Sequence, residues 1–179
     1  SDILFFDDQW PTITMVGSFS VVGNVQSLET LWAEFDHTIV AIGKAEIRES
    51  IQSRLENIAP AMIHSSAILG SDVSIGCGTV VMPGAIINSG TQIGKGCIIN
   101  SGAVVEHDCV VGDYVHVAPK AALAGGVSVG ESSWVGIGAS IIQQIKIGKN
   151  VVIGAGSVVI EDVAEKAVVV GVPAKPLIK

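Results

Sequence analysis

Two histidines and their neighbours are the residues of this sequence best suited to acid–base chemistry. His107 is flanked by the carboxylates of Glu106 and Asp108, and His116 follows nine residues later. A carboxylate beside an imidazole fixes its tautomer and raises its basicity, and an imidazole that is neutral near pH 7 can accept a proton from a nucleophile. His107 is therefore the candidate general base. The alternative is a surface histidine in an acidic loop.

A six-residue period positions these side chains, and it runs without a break over residues 63–164. An aliphatic residue opens each of the 17 hexads in these 102 residues, and the fifth position is almost always small or β-branched. A fixed hexapeptide period is typical of a parallel β-helix, and it excludes an amphipathic helix, whose period is 3.6. Three hexads close one triangular coil, so we predict inward first-position aliphatics and corner glycines with positive φ or crowded backbones.

The period places His107 at the third position of its hexad, off the inward column and close to a corner. Gly125 lies 18 residues later, and therefore one coil above His107. A glycine there leaves its backbone N–H open to approach from outside, which makes that N–H a candidate oxyanion donor. Cys109 falls on an inward fifth position, so it is not expected to act as a nucleophile.

Residues 1–60 lack the period and predict a small α/β domain. Strands are expected over residues 3–6 and 38–42, and helices over 27–32 and 44–57, the second with its apolar face at Ile47, Ile51, Leu55 and Ile58. We divide the chain into an α/β domain (1–60), a β-helix (61–164) and a C-terminal tail (165–179). No glycine-rich phosphate turn precedes the first predicted strand, so we expect a truncated Rossmann-like domain whose first strand and glycine turn are missing. A degenerate N-terminal domain is the alternative.

Asp7, Asp8 and Gly43 follow the two predicted strands of this domain. Ligands bind beyond the carboxyl ends of strands in such sheets, so these residues are candidates for holding a ligand. Turn formation or helix capping by the two aspartates is an equal alternative.

Composition limits the partners of the chain. The net charge of −7 argues against nucleic acid. No apolar run is long enough to span a membrane, and residues 1–6 show no signal peptide, so a cytoplasmic location is expected. The three cysteines form no metal or disulfide pattern, and no third histidine lies on the coils next to His107 and His116, so we expect no metal. A zinc carbonic anhydrase remains the metal-dependent alternative.

Several segments together resemble one family. They are the hexads, the tail Val-Gly-Val-Pro-Ala-Lys at residues 170–175, the N-terminal segments 5–8 and 41–43, and the histidine segment 105–117. The chain resembles the hexapeptide-repeat nucleotide-aminosugar N-acetyltransferases, which are grouped with the sialic acid O-acetyltransferases. The resemblance implies a left-handed β-helix, a homotrimer with acetyl-CoA between subunits, and acetylation of the 4-amino group of a UDP- or dTDP-linked dideoxysugar.

The resemblance also implies roles for individual residues. His107 would be the general base and Asp108 its orienting acid, Asn100 would face the sugar, and the Gly125 N–H would hold the thioester oxygen. The remaining residues would contact acetyl-CoA (His116, Gly136, Ala155 and Lys175) or the nucleotide (Asp7, Asp8 and Gly43). A sugar O-acetyltransferase and a non-catalytic β-helix scaffold remain as alternatives.

Overall fold

The computed structural model describes residues 3–177. Its N-terminal part contains strands β1 (Phe5–Phe6), β2 (Met15–Val16) and β3 (Phe19–Gly23), helices α1 (Val25–Leu31) and α2 (Ala45–Gln52), and a 3₁₀ turn (Trp32–Glu34). The strand order is β1-β3-β2, with β1 and β3 parallel and β2 and β3 antiparallel. A small α/β domain is therefore present, as the sequence predicts.

Details of this domain differ from the prediction. Residues 38–42 form no strand: Thr38 makes an isolated parallel bridge to Ile58, while Val40 and Ile42 pack with Leu28, Ile51 and Leu55. Their apolar character therefore reflects burial without a strand partner. The β2–β3 hairpin was not predicted, because its exposed apolar residues do not alternate clearly with polar ones.

The second helix is shorter than predicted, and its buried face is rotated. It ends at Gln52 rather than at residue 57, and Ile47, expected on the apolar face, is 44% exposed. Arg48 is buried instead, together with Ile51 and Gln52. These three residues share one side of a helix because they are three and four positions apart.

The rest of the chain is a parallel β-helix, which confirms the predicted architecture. Its strands are two residues long and recur every six residues: β4 (Met62–Ile63), β5 (Ile68–Leu69), β6 (Ser74–Ile75), β7 (Val80–Val81), β8 (Ile86–Ile87), β9 (Gln92–Ile93), β10 (Ile98–Ile99), β11 (Val104–Val105), β12 (Val110–Val111), β13 (His116–Val117), β14 (Ala122–Leu123), β15 (Ser128–Val129), β16 (Trp134–Val135), β17 (Ser140–Ile141), β18 (Lys146–Ile147), β19 (Val152–Ile153) and β20 (Val158–Val159). Each pairs with the strand 18 residues away, as Ile98 does with His116, so three hexads make one coil.

The hexad positions have the roles that the period predicts. First-position residues such as Ile99 and Val105, and fifth-position residues such as Cys97 and Cys109, are completely buried. The fourth position of every hexad from residue 72 to residue 156 has positive φ, and many of these residues are glycine. Second-position glycines serve close approach instead: a Cβ at Gly130 would lie 2.6 Å from backbone atoms of the next coil.

One sheet continues beyond residue 164, where the repeat was expected to end. Strand β21 (Val168–Val170) pairs in parallel with β19, and β22 (Lys175–Pro176) then pairs antiparallel with β21. This final antiparallel strand covers the edge that another coil would otherwise occupy. Between residues 3 and 177, no helix is long and apolar enough to cross a membrane.

Candidate active site

His107 lies at a corner of the β-helix, between β11 and β12, with its side chain exposed. Its Nδ1 is 2.8 Å from Oδ2 of Asp108, the fourth-position residue of the hexad, whose φ is +58°. The hydrogen bond to Asp108 raises the pKa of His107, and the charges of Asp108 and Glu106 act in the same direction. With Nδ1 bonded to the carboxylate, Nε2 is the ring nitrogen that can accept a proton.

Gly125 lies against this imidazole. A Cβ built at Gly125 would be 2.6 Å from Nε2 and 2.7 Å from Cε1 of His107, so only glycine leaves the ring where it is. The Gly125 carbonyl accepts a hydrogen bond from the Gln144 N–H, and the Gly126 N–H donates to the His107 carbonyl. The Gly125 N–H itself has no backbone acceptor within the described part of the chain. A free donor and a basic nitrogen therefore lie side by side.

Two nearby side chains complete this corner. Glu106 accepts a 2.9 Å hydrogen bond from Nδ2 of Asn88, which lies one coil below it. Asn88 was missed by the sequence analysis, although its separation of 18 residues from Glu106 is a usable signal. The Cys109 thiol is buried, burial raises its pKa, and it donates to the Ala124 carbonyl at 3.3 Å. The geometry thus supports proton transfer by His107 and no cysteine nucleophile.

His116 is in a different environment, inside the molecule. The residue is 8% exposed, the centroid of its ring lies 4.4 Å from that of the Trp134 ring, and Nε2 is 3.0 Å from Nδ2 of Asn100. Because an amide NH₂ can only donate, Nε2 accepts and the proton belongs on Nδ1, which has no partner among residues 3–177. Burial first, and the charge of Arg48 second, lower the pKa of His116 to about 4. His116 is therefore neutral near pH 7, and its hydrogen-bond partner is Asn100, the residue expected to face the sugar.

An apolar groove of about 350 Å³ opens beside His116. Its lining includes Pro119, Trp134, Ile137 and three of the candidate acetyl-CoA contacts, His116, Gly136 and Ala155. Trp134 and Ile137 keep 40% and 56% of their surfaces exposed. The groove therefore has the chemistry for a flexible, largely apolar ligand segment.

The other candidate acetyl-CoA contacts lie outside this groove. Gly125 belongs to the His107 corner, as described above. Lys175 lines a separate hollow of about 280 Å³ near the C-terminal end, where its Nζ is 3.6 Å from Oε2 of Glu161. A single copy of the chain thus brings together only some of the predicted site.

The candidate nucleotide-binding residues make hydrogen bonds that stabilise a turn and the helices of the N-terminal domain. Oδ1 of Asp7 accepts from the Gln9 N–H at 2.8 Å, and Oδ1 of Asp8 accepts from the Val25 N–H at the start of α1 at 3.1 Å. The Gly43 carbonyl accepts from Arg48. The preceding residues of the two segments, Phe6 and Ile42, pack in one apolar cluster, so both segments end at the same part of the domain.

The unusual pKa of His116 should appear in the pH dependence of stability. The unfolded chain protonates this histidine at about pH 6.5, whereas the folded protein resists protonation down to about 4. The free energy of unfolding should therefore fall with decreasing pH between these values, by at most about 1.4 kcal/mol per pH unit, and level off below. Urea unfolding of the wild type and of His116→Asn at several pH values isolates the contribution of His116. If the free energy of unfolding falls with decreasing pH equally steeply in both proteins, this prediction is wrong.

Among residues 3–177, no group of three or more His, Cys, Asp or Glu side chains could hold a metal ion.

Family models match both parts of the chain. The model "Bacterial transferase hexapeptide (six repeats)" matches residues 72–107, 90–125 and 126–161, and the model "PglD N-terminal domain" matches residues 1–55. No curated protein matches the chain.

Solved structures extend the likeness over nearly the whole chain. The acetyltransferase domain of PglB from Neisseria gonorrhoeae, in complex with acetyl coenzyme A, is 37% identical over 98% of this chain and 86% of its own, with a TM-score of 0.93. PerB from Caulobacter crescentus, in complex with CoA and GDP-perosamine, is 38% identical over 92% of this chain and 81% of its own, with a TM-score of 0.86. WeeI from Acinetobacter baumannii is 27% identical over 97% and 85%, with a TM-score of 0.80.

Hexads, N-terminal domain and likeness to solved structures all agree with the resemblance found in the sequence. The chain belongs to the hexapeptide-repeat sugar N-acetyltransferases that carry a PglD-type N-terminal domain.

Proposed function

We propose that this protein is an acetyl-CoA-dependent N-acetyltransferase that acts on the 4-amino group of a nucleotide-linked dideoxysugar. The PglB acetyltransferase domain binds acetyl coenzyme A, and PerB binds CoA and GDP-perosamine. These relatives support the cosubstrate and the class of acceptor, and they add GDP to UDP and dTDP as candidate nucleotides. The observation that carries the proposal in this chain is the contact of His107 with both Asp108 and Gly125.

The His107 corner can carry out direct acyl transfer. The sugar amine attacks the thioester carbon, and Nε2 of His107 removes a proton from the attacking nitrogen while Asp108 holds the Nδ1–H. The Gly125 N–H donates to the oxygen that becomes negative in the tetrahedral intermediate. Collapse of that intermediate forms the amide and breaks the C–S bond. The proton held by His107 then neutralises the CoA thiolate, which restores the neutral imidazole.

The apolar groove beside His116 is the proposed place for part of acetyl-CoA. Gly136 lines this groove, and a Cβ there would lie 2.5 Å from the Ile153 carbonyl oxygen, so only glycine fits at this position without displacing the backbone of the next coil. Neutral His116 offers a hydrogen-bonding ring that costs less to desolvate on ligand binding than an imidazolium. Asp7, Asp8 and Gly43 remain the proposed nucleotide contacts, and Asn100, which is hydrogen-bonded to His116, remains the proposed sugar contact.

We further propose that the active unit is a homotrimer. The residues proposed to contact acetyl-CoA are divided between the His107 corner, the His116 groove and the C-terminal hollow, so a cleft between two copies would unite them. The exposed Trp134, Ile137 and Val152 supply an apolar surface for such packing. Light scattering should give three times the mass of the chain. A monomer at the enzyme concentrations that sustain turnover would contradict this arrangement.

An acceptor panel tests the reaction. Release of free thiol from acetyl-CoA is measured with UDP-, dTDP- and GDP-linked 4-amino-dideoxysugars and with their 4-hydroxy counterparts. We expect turnover with at least one amino sugar and none with its hydroxy counterpart. A preference for the hydroxy sugars would indicate an O-acetyltransferase. Absence of acetyl-CoA binding would indicate a scaffold.

A further inference from the structure

Arg48 is a buried cation that the proposed reaction does not use. It lies in α2 and is 1% exposed, yet its guanidinium group contacts no carboxylate within residues 3–177 at ion-pair distance. All its hydrogen bonds go to backbone carbonyl oxygens: Nε to Gly96 (2.6 Å), Nη1 to Ile42 (2.7 Å) and Gly43 (2.9 Å), and Nη2 to Tyr114 (2.8 Å). One side chain therefore fixes four points of the backbone.

This arrangement is costly. Burial of Arg48 lowers its pKa, because removing the cation from water disfavours the charged form. An apolar residue could fill a domain interface of this kind without that cost. The planar guanidinium fork, however, is the one side chain that can donate in several fixed directions at once. The buried charge is therefore best explained by a need for geometry, namely a fixed relation between the carbonyls that it joins.

Those carbonyls belong to the two parts of the molecule that must cooperate. Ile42 and Gly43 end the segment proposed to hold the nucleotide. Gly96 and Tyr114 belong to one corner of the β-helix, and Tyr114 precedes His116 by two residues. Arg48 is also close enough for its charge to oppose protonation of His116. A shift of the guanidinium would move the nucleotide segment relative to the acetyl-transfer site.

Helix α2 has a second contact with the same corner, and it differs in one useful respect. Glycines at positions 78 and 96 make room for the helix: a Cβ at Gly78 would lie 2.5 Å from Nε2 of Gln52, and one at Gly96 would lie 3.1 Å from its Oε1. Gln52 donates weakly to the Cys77 carbonyl at 3.4 Å, and its Oε1 has no partner among the described residues. Gln52 has no hydrogen bond to Ile42 or Gly43 in this part of the chain, so it anchors the helix only.

We propose that Arg48 is a positioning residue that sets the nucleotide segment at a fixed place relative to the His107–His116 region, and so makes the enzyme prefer nucleotide-linked acceptors. This inference rests on the proposed function. The nucleotide delivers the amine to the thioester only if the two parts of the chain are held in register. An error of about 1 Å in such delivery can cost about 10²-fold in rate.

The test compares two acceptors in Arg48→Lys and Arg48→Met. One acceptor is the nucleotide-linked amino sugar that the wild type uses best, and the other is the methyl glycoside of the same amino sugar at high concentration. We expect kcat/KM for the nucleotide-linked acceptor to fall by about 10–10²-fold. The kcat/KM for the methyl glycoside should change by less than about twofold. Arg48→Lys keeps the charge but not the fork, so it should lose most of the preference as well.

Gln52→Met is the matched control, because it removes a polar side chain from the same helix face without releasing residues 42 and 43. It should keep the wild-type ratio of the two acceptors. Equal losses on both acceptors in the Arg48 variants would overturn the proposal, as would failure of both variants to fold, since Arg48 would then serve the fold and not acceptor placement. Failure of the wild type to acetylate any nucleotide-linked amino sugar would instead refute the proposed function.

Discussion

Replacing His107 by alanine is expected to lower kcat by about 10²–10⁴-fold, the usual contribution of a positioned general base. The attacking amine would lose the basic nitrogen that the structure places beside Gly125. Stability should hardly change, because the His107 side chain is exposed and its hydrogen bond is to the neighbouring Asp108. Steady-state kinetics with the best nucleotide-linked amino sugar, and calorimetric titration with acetyl-CoA, would separate lost chemistry from lost binding.

His64→Ala is a matched control for this experiment. His64 is also exposed at the β-helix surface and bonds a near neighbour, Ser66, with its Nδ1 at 2.8 Å. Wild-type turnover by His64→Ala and its near loss in His107→Ala would assign the proton transfer to one histidine. Unchanged kcat in His107→Ala would remove His107 from the mechanism and, with it, most of the case for catalysis at this corner.

The pH profile adds an independent readout of the same residue. Asp108 raises the pKa of His107, so the acidic limb of kcat/KM should lie above the ordinary histidine value of about 6.5. In Asp108→Asn the hydrogen-bonding carboxylate is gone, and the limb should move to lower pH. A limb that stays at the same pH would mean that another group is titrating.

The β-helix can be predicted from the sequence because each hexad repeats the same pattern of residue types. An aliphatic residue at the first position and a small or β-branched one at the fifth describe the inside of a narrow coil, and the 18-residue pairing follows from three such hexads. The same 18-residue separation predicts that Gly125 lies one coil above His107, and the structure places the two residues against each other. Because the repeat is regular, contacts between successive coils can be predicted from a fixed separation of 18 residues in the sequence.

The N-terminal domain has no such repetition, and its strands and buried helix face are less well predicted from the sequence. Residues 38–42 looked like a buried strand, but tertiary packing buries them without a partner strand. The helical pattern predicts that Ile47 faces the interior, but Arg48 does so instead, because the carbonyl oxygens of Gly96 and Tyr114, on two successive coils, accept its hydrogen bonds. The sequence around residue 48 does not indicate that Gly96 and Tyr114 will be its hydrogen-bond partners.

Replacement of Gly125 by alanine is the second large effect expected, and it differs from the first in kind. The new Cβ would lie 2.6 Å from Nε2 of His107, which is closer than two such atoms can approach, and the exposed imidazole must swing away. No positive φ is required at this residue, and nothing in the core is disturbed, so thermal stability should stay near that of the wild type. The Gly125 N–H remains in place. Because misplacing a reacting group by about 1 Å can cost about 10²-fold, we expect a loss of that order in kcat.

A double-mutant cycle shows whether this loss acts through the imidazole. If alanine at position 125 harms the enzyme by moving His107, then the double variant His107→Ala, Gly125→Ala should be no slower than His107→Ala alone. Independent, multiplying losses would mean that the alanine disturbs the oxyanion donor or the approach of the thioester. Turnover by Gly125→Ala at the wild-type rate would show that the imidazole need not rest against residue 125. The close contact between the two residues would then have no part in catalysis.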